Sequence, residues 1–205
     1  MMLVRGRSSS TLFGIVSKQR ITRLLSSNTT DFGFKEVNSD DKERLVKEVF
    51  SKVAQKYDVM NDLMSLGIHR FWKDDFVHMM GLKALKSSPP GQIPRHLDVA
   101  GGTGDIAFRS AELISEAFST HLEEHVFSKS NEELSQSERP IVVCDINPNM
   151  LAVGQDRAPS VIGRKRAKMV GFVEGNAEKL PFPDNSFDFY TIAFGLRNVT
   201  NKDVS

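Results

Sequence analysis

Apolar residues recur at helical spacing in two segments that precede the first strand-like run. The first segment, residues 40–58, carries an apolar residue at every fourth position: Leu45, Val49, Val53 and Tyr57. The second runs from Ile68 to Met80 and ends near Gly81. We expect two helices here, within an N-terminal segment, residues 31–86, that resembles a lid on the main domain.

Four short apolar runs follow, at 95–99, 141–145, 169–175 and 187–194. Helical or polar segments separate them, and this alternation predicts an α/β fold with a mostly parallel, Rossmann-like sheet. Asn147 and Pro148 are the N-cap and first residue of one predicted helix. The polar stretch 119–140 is interpreted as a surface insertion of low structural consequence, and 163–168 as a loop. The last run is apolar enough for an interior strand, so ending soon after it should leave a sheet edge exposed.

The balance of charge limits the classes of partner. The chain has 27 basic and 26 acidic side chains, which gives no support to nucleic-acid binding through a basic face. Its apolar runs are far shorter than the roughly 18 to 20 residues that cross a bilayer. The single cysteine, Cys144, excludes an intramolecular disulfide and is predicted to be a buried strand residue.

The N-terminus departs from this balance. Residues 1–30 contain five basic side chains, many Ser and Thr, and no acidic residue before Asp31. This composition is typical of a mitochondrial transit peptide, and a plain basic tail is the alternative. We therefore exclude residues 1–30 from the predicted fold.

The strongest local signal for a ligand is a glycine turn, residues 100–104, placed after the first strand, where α/β sheets bind ligands. Gly102, Gly104 and Ala107 also satisfy the dinucleotide fingerprint, so an NAD-type oxidoreductase is one reading. A pyrophosphate would, however, meet the carboxylates of Asp98 and Asp105. These acids favour a cation.

S-adenosylmethionine carries an ammonium and a sulfonium but no phosphate, so an acidic glycine turn is complementary to it. Asp145, at the end of the second strand, is placed to accept hydrogen bonds from two ribose hydroxyls, a role that both cofactor classes share. The sequence therefore predicts an adenosine ligand and favours the sulfonium compound over NAD.

Two weaker patterns predict no function. His121, Glu124 and His125 match the spacing of some zinc peptidases. They lie in the polar insertion without a third ligand, so a solvated helix face is the interpretation and no metal is expected. The basic run at 164–168 fits contact with anionic lipid, but a solvated loop is the commoner reading.

Five sequence motifs, in order, resemble the ubiquinone/menaquinone C-methyltransferase (UbiE-type) family. They are YDVMNDLMSLGIHRFW at 57–72, VAGGTGDIAF at 99–108, VCDINPNML at 143–151, GNAEKLPFPDNSFD at 175–188 and FGLRNVT at 194–200. The resemblance covers roughly residues 32–202. It implies a class I methyltransferase domain, here 95–205, that is partial because the family's later glycine-rich signature is missing.

The resemblance also implies which residues form the site. The implied contacts to S-adenosylmethionine are Thr103 in the glycine turn, Asp145, Asn176 and Ala177. The acidic glycine turn itself adds Gly101 and Asp98 to the predicted cofactor-binding residues. Asn176 would contact the adenine edge. The implied catalytic residues are Arg197, Asn198 and Tyr57, which would stabilise or deprotonate a phenol whose ordinary pKa is about 10.

The implied reaction is C-methylation of a polyprenyl methoxy-benzoquinol in ubiquinone (coenzyme Q) biosynthesis. The implied location is the matrix side of the mitochondrial inner membrane, as a peripheral protein among other coenzyme Q biosynthetic proteins. The alternative is a noncatalytic, truncated isoform that acts only as an interaction subunit.

Overall fold

The structure is a computed structural model that describes residues 2–6, 29–32, 35–38, 67–82, 92–130, 133–193, 195–196 and 199. For the first three ranges it describes the backbone only. The first predicted helix, 40–58, lies outside these residues.

The fold is built on a five-stranded sheet. The strands in chain order are β1 Met2–Gly6, β2 Thr29–Phe32, β3 Lys35–Asn38, β4 His96–Val99, β5 Ile141–Asp145, β6 Val170–Glu174 and β7 Phe189–Ala193. The main sheet has the order β1-β7-β4-β5-β6, and β2 and β3 form a separate antiparallel pair. Strands β7, β4, β5 and β6 are mutually parallel, so the predicted α/β class and the four predicted strands are confirmed.

The helices are α1 Ile68–Met79, α2 Asp105–Ala117, α3 Ser119–Leu122, α4 Pro148–Val161 and α5 Gly163–Ala167. Helix α1 confirms the second predicted helix, and Gly81 just beyond it has a positive φ of 70°. Asn147 caps α4 as predicted, because its side-chain oxygen accepts from the amides of Asn149 and Met150. The predicted loop 163–168 is instead the short helix α5.

The expected open edge of β7 is occupied. Strand β1 pairs with β7 in antiparallel register, from Met2 opposite Ala193 to Gly6 opposite Phe189. The exposed-edge expectation is therefore wrong for this strand, since β1 supplies the missing row of backbone partners. This strand lies within the segment predicted to be a transit peptide, and the border predicted at residue 30 falls inside β2; both assignments stay predictions.

The expectation that 119–140 has low structural consequence is wrong. Leu122 on α3 is fully buried, and Val126, in the π-helical turn Glu123–Phe127, is also buried in the core. The side chain of Gln136 accepts a hydrogen bond from the amide of Phe172 on β6 at 3.0 Å. The side chains of Glu124 and His125 are exposed, as expected for a solvated helix face.

The sheet has two different faces. The helical face is covered by α1, α2 and α4, and its core includes Phe76, Ile106, Phe108, Ala111, Ile114, Ile141, Val143, Leu151 and Phe189. The loop face is covered by the connection between β6 and β7 and by Leu196 and Val199, over Leu97, Val99, Val142, Cys144 and Ile192. Cys144 is buried, as predicted, and burial raises the pKa of its thiol to about 12.

Candidate cofactor site at the carboxyl-terminal edge of the sheet

The carboxyl ends of β4, β5 and β6 lie side by side because these strands are parallel and in register. Val99 is opposite Cys144, and Asp145 is opposite Glu174. The glycine turn after β4 and the predicted ribose ligand Asp145 after β5 therefore meet at one edge of the sheet. This is the position at which doubly wound sheets bind their ligands.

The glycine turn has a backbone that side chains would obstruct. A Cβ atom on Gly101 would lie 2.8 Å from both Asp98 Oδ2 and Val143 Cγ1. Gly102 and Gly104 have φ values of 56° and 84°, in the left-handed region that glycine enters without steric cost. This turn forms the cradle of the candidate site, and it requires glycine for its close packing and its left-handed backbone. Its amides are already engaged, since Gly101 donates to the Cys144 carbonyl and Gly104 to the Gly101 carbonyl.

Asp145 ties the turn to the start of α4. Its Oδ2 accepts from the amide of Gly102 at 2.9 Å, and its Oδ1 accepts from the amide of Asn147 at 2.9 Å. Burial raises the pKa of Asp145, although these amides favour its anionic form. A carboxylate has about four lone-pair positions, so both oxygens retain capacity for ribose hydroxyls.

Asp98 lies beneath the turn and is 1% exposed. Its Oδ1 accepts from the hydroxyl of Thr191 on β7 at 2.8 Å, while Oδ2 has no hydrogen-bond partner among the described residues. Burial raises the pKa of Asp98 to about 7, against the opposing effects of the Thr191 hydroxyl and the nearby amide of Ala107. The buried carboxyl therefore titrates near neutral pH.

Asp105 does not contribute the negative charge that the sequence predicted. Its carboxylate is paired with Lys73 of α1 and with Arg109, whose Nη1 lies 2.6 Å from Asp105 Oδ1. Burial acts to raise the pKa of Asp105, but the two cations outweigh burial and lower it. The acidic character of the site rests on Asp98 and Asp145, and Asp105 instead joins α1 to α2.

The structure brings Gly101, Thr103 and Asp98 together with Asp145, but their contact with a cofactor stays a prediction. Thr103 is buried, and its hydroxyl accepts from Nη1 of Arg157 on α4 at 3.0 Å. A ligand that contacts the Thr103 hydroxyl would therefore share this hydroxyl with Arg157.

Asn176 and Ala177 follow β6 at the same edge, next to Asp145. The amide of Gly175 donates to the Asp145 carbonyl at 3.0 Å, which fixes this segment beside the glycine turn. Asn176 Oδ1 accepts from the amide of Glu178 at 2.9 Å, and Ala177 packs against the core of the loop face. The predicted role of Asn176 at the adenine edge stays a prediction.

The three predicted catalytic residues, Tyr57, Arg197 and Asn198, lie outside the described residues. Gly195, which shortly precedes Arg197 and Asn198 in the sequence, lies at this edge of the sheet. A Cβ on Gly195 would lie 2.4 Å from the Cβ of Ala100 in the glycine turn. Their catalytic assignment stays a prediction.

Comparison with known proteins identifies the family of the chain. A model of the ubiE/COQ5 methyltransferase family matches residues 36–205, which is most of the chain. The chain belongs to the ubiE/COQ5 methyltransferase family. Members of this family use S-adenosylmethionine as the methyl donor.

Curated relatives come from plants and bacteria. The chain is 48% identical over 181 residues to the mitochondrial 2-methoxy-6-polyprenyl-1,4-benzoquinol methylase of Oryza sativa, with 88% of this chain and 56% of the relative covered. It is 46% identical over 187 residues to the protein of the same name from Arabidopsis thaliana, covering 91% and 60%. It is 48% identical over 176 residues to the ubiquinone/menaquinone biosynthesis C-methyltransferase UbiE of Nitrobacter hamburgensis, covering 86% and 58%. The chain thus spans about three fifths of the length of these relatives.

The sequence reasoning missed four residues around the site of this ubiE/COQ5 family member. Lys73 forms an ion pair with Asp105, and Arg157 donates a hydrogen bond to Thr103. Thr191 donates to Asp98, and His96 is hydrogen-bonded to Thr191. A partial signal existed for His96 and Asp98, since two polar residues at alternate positions of an apolar strand share one face. The other partners depend on which elements are neighbours, which the spacing does not reveal.

Proposed function

We propose that this chain binds S-adenosylmethionine at the carboxyl-terminal edge of its sheet and supports C-methylation of a polyprenyl methoxy-benzoquinol in ubiquinone biosynthesis. The family match and the printed names of the relatives support the reaction class and the substrate. The single observation that supports the binding site is the hydrogen bond from Gly102 of the glycine turn to Asp145.

The residues at this edge fit the proposed ligand. Gly101 lets the turn pack directly on Asp98 and Val143, Asp145 keeps acceptor capacity for ribose hydroxyls, and Asp98 lies as a buried acid beneath the turn. Asp145 would serve the ribose of either cofactor, but Asp98 does not suit a pyrophosphate, which prefers an N-terminal helix end without a competing carboxylate beneath it. The edge therefore favours a cationic nucleoside over NAD.

When bound, S-adenosylmethionine supplies an electrophilic methyl group: the bond from sulfur to methyl breaks, a bond from the ring carbon to methyl forms, and the ring loses a proton. The chain's described residues would hold the adenosine, through Asp145, and shape the turn, through Gly101. Arg197, Asn198 and Tyr57 are our candidates for activating the ring, on the motif positions alone. An arginine remains protonated, so Arg197 would stabilise a phenolate and not act as a base.

We further propose a mitochondrial location, by similarity to relatives named mitochondrial. Attachment to the matrix side of the inner membrane, and association with other coenzyme Q biosynthetic proteins, are the finer form of this proposal. No helix in the described part of the chain is long and apolar enough to span a membrane.

Isothermal titration of S-adenosylmethionine into the full 205-residue chain tests the binding site, with NAD as the competing ligand. We expect saturable binding of S-adenosylmethionine alone, weakened at least roughly 100-fold by Asp145→Ala, because buried acceptors for the ribose and Gly102 are lost together. Asp156→Ala, an exposed acid on α4, is the matched control and should bind like the wild type.

Binding of NAD in place of S-adenosylmethionine would overturn the cofactor assignment. A folded chain that binds neither ligand would favour the noncatalytic interaction subunit. Turnover of a polyprenyl methoxy-benzoquinol, followed as a gain of one methyl group by mass spectrometry, then tests the reaction separately from the binding.

A further inference from the structure

A chain of buried hydrogen bonds crosses from β4 to β7 on the helical face, directly below the glycine turn. His96 Nε2 lies 2.8 Å from Thr191 Oγ1, and Thr191 Oγ1 donates to Asp98 Oδ1 at 2.8 Å. The three residues are at most 1% exposed. They meet because His96 and Asp98 alternate on one strand and Asp98 is in register with Thr191.

The direction of these hydrogen bonds follows from proton counting. A hydroxyl has one proton, and Thr191 donates that proton to Asp98, so Thr191 must accept from His96. His96 is therefore the tautomer with its proton on Nε2. Burial lowers the pKa of His96 to about 3, which keeps the imidazole neutral and able to play this part. The chain ends on one oxygen of Asp98, and the other oxygen faces Gly101 in the glycine turn.

We propose that His96 and Thr191 are positioning residues that hold Asp98 as an anion beneath the glycine turn, so that the turn distinguishes the cationic methyl donor from its product. This inference rests on the proposed function. Methyl transfer converts a sulfonium to an uncharged thioether. A fixed negative charge in a low-dielectric interior then attracts the donor more than the product, which favours release after turnover.

Buried Asp98 needs support to remain anionic. An unpaired carboxylate in the interior takes up a proton instead. The Thr191 hydroxyl opposes this uptake because a hydrogen bond to the charged form favours that form. The titratable groups around Asp98 are Asp145 of β5, Asp105 of α2 and His96 of β4, together with Cys144 of β5 and Tyr190 of β7 on the opposite face of the sheet. Asp105 is compensated by Lys73 and Arg109, so Asp145 is the main opposing charge.

The test compares the Kd values of S-adenosylmethionine and S-adenosylhomocysteine for the full chain from about pH 6 to about pH 8.5. We expect the ratio of product Kd to donor Kd to rise roughly tenfold across this range as Asp98 ionises. Asp98→Asn should make the ratio follow only the ionisation of the ligands themselves. Damage to the fold would instead weaken the binding of both ligands and leave the ratio of their Kd values as it is in the wild type.

Thr191→Val, which is nearly isosteric, removes the hydroxyl, and we expect the midpoint of the rise to move up by about one pH unit. Thr191→Ser keeps a hydroxyl and should restore the wild-type midpoint. His96→Leu removes the donor to Thr191 and should move the midpoint in the same direction as Thr191→Val. A thermal melt of each variant checks that it is folded.

A Thr191→Val or His96→Leu protein that keeps the wild-type midpoint would overturn the positioning role of the altered residue. An Asp98→Asn protein that keeps the full pH-dependent rise would overturn the role of Asp98 and assign the discrimination to Asp145. If a folded wild-type chain binds neither ligand, the proposed function fails and this inference fails with it.

Discussion

At the amino-terminal edge of the parallel sheet, charged groups are engaged in holding segments together. Arg95 donates to the carbonyls of Ser186 and Ser137, at 2.8 and 2.5 Å, and its guanidinium lies 4.5 Å from the ring centre of Phe187. At the carboxyl-terminal edge, Asp98 keeps a buried oxygen without a partner among the described residues, and Asp145 binds only backbone amides.

The same four strands thus end in two kinds of surface. At the amino-terminal edge Arg95 connects distant segments, while its Nε, like Asp98 Oδ2, is buried without a partner among the described residues. At the carboxyl-terminal edge Asp98 and Asp145 keep acceptor capacity beneath a glycine-rich backbone. Unused capacity in a buried acid lowers the stability of the ligand-free protein, and a ligand that binds there offsets this cost. We expect substitutions at the amino-terminal edge to change stability alone, and substitutions at the carboxyl-terminal edge to change ligand binding as well as stability.

The largest expected effect concerns Asp98 and stability. Its pKa is raised from 3.8 to about 7, so the folded protein retains a proton that the unfolded chain releases. The resulting stability is complete below about pH 4 and is lost as the pH rises through about 7. We expect the free energy of unfolding of the wild type, relative to that of Asp98→Asn, to fall by up to roughly 4 kcal/mol across this window.

Urea denaturation at about pH 4, 5.5, 7 and 8 measures this difference. His96 loses its contribution to stability in acid, as the pH falls from 6.5 through about 3, in both proteins, so its effect cancels to a first approximation. Asp156→Asn should have a profile parallel to the wild type. If the pH profile of Asp98→Asn is parallel to that of the wild type, burial of the Asp98 carboxyl does not lower stability as the pH rises.

The second prediction concerns Gly101→Ala. The added Cβ would meet Asp98 Oδ2 and Val143 Cγ1 at 2.8 Å, so we expect a loss of about 1 to 3 kcal/mol in stability and a loss of binding beyond that. Gly163→Ala is the matched control: it has open space but a φ of 81°. The control should cost about 1 kcal/mol and leave the Kd unchanged.

Calorimetry of both glycine variants, at protein concentrations where each is folded, separates the two effects. Equal Kd values for Gly101→Ala and the wild type would contradict the assignment of the glycine turn as the ligand cradle.

The smallest effect is expected at the amino-terminal edge. Arg95→Lys keeps the charge but loses the planar pair of donors to Ser186 and Ser137, and we expect about 1 kcal/mol of lost stability with no change in Kd. Arg164→Lys, on exposed α5, should leave both quantities unchanged. A higher Kd for S-adenosylmethionine in Arg95→Lys than in Arg164→Lys would contradict the expectation that the amino-terminal edge does not affect binding.

The elements that could be predicted from the sequence are those that depend on nearby residues. The cap at Asn147, the glycine turn and the four parallel strands follow from local chemistry and spacing. The compensation of Asp105 could not be predicted, because Lys73 lies 32 residues away on another helix. The partnership of Asp98 with Thr191 depends on β7 lying next to β4, and the order of strands in a sheet is a tertiary property.

The insertion illustrates the same limit. Its polar composition predicted a surface segment, yet Leu122 and Val126 fill the core of the helical face. A few apolar residues in a polar stretch carry little weight in a compositional argument, while full burial of one such side chain contributes about 1.5 to 3 kcal/mol. Tertiary packing therefore decided the role of this segment.

The single thiol of the chain allows transient opening of the sheet to be measured by the rate of thiol labelling. Cys144 is enclosed in β5, next to Asp145, and burial holds the pKa of its thiol at about 12. Alkylation requires an exposed thiolate, so a thiol reagent can label the chain only when the central strands separate. The labelling rate thus counts openings of the sheet, and any ligand that binds the closed state slows it in proportion to one plus the ratio of ligand concentration to Kd.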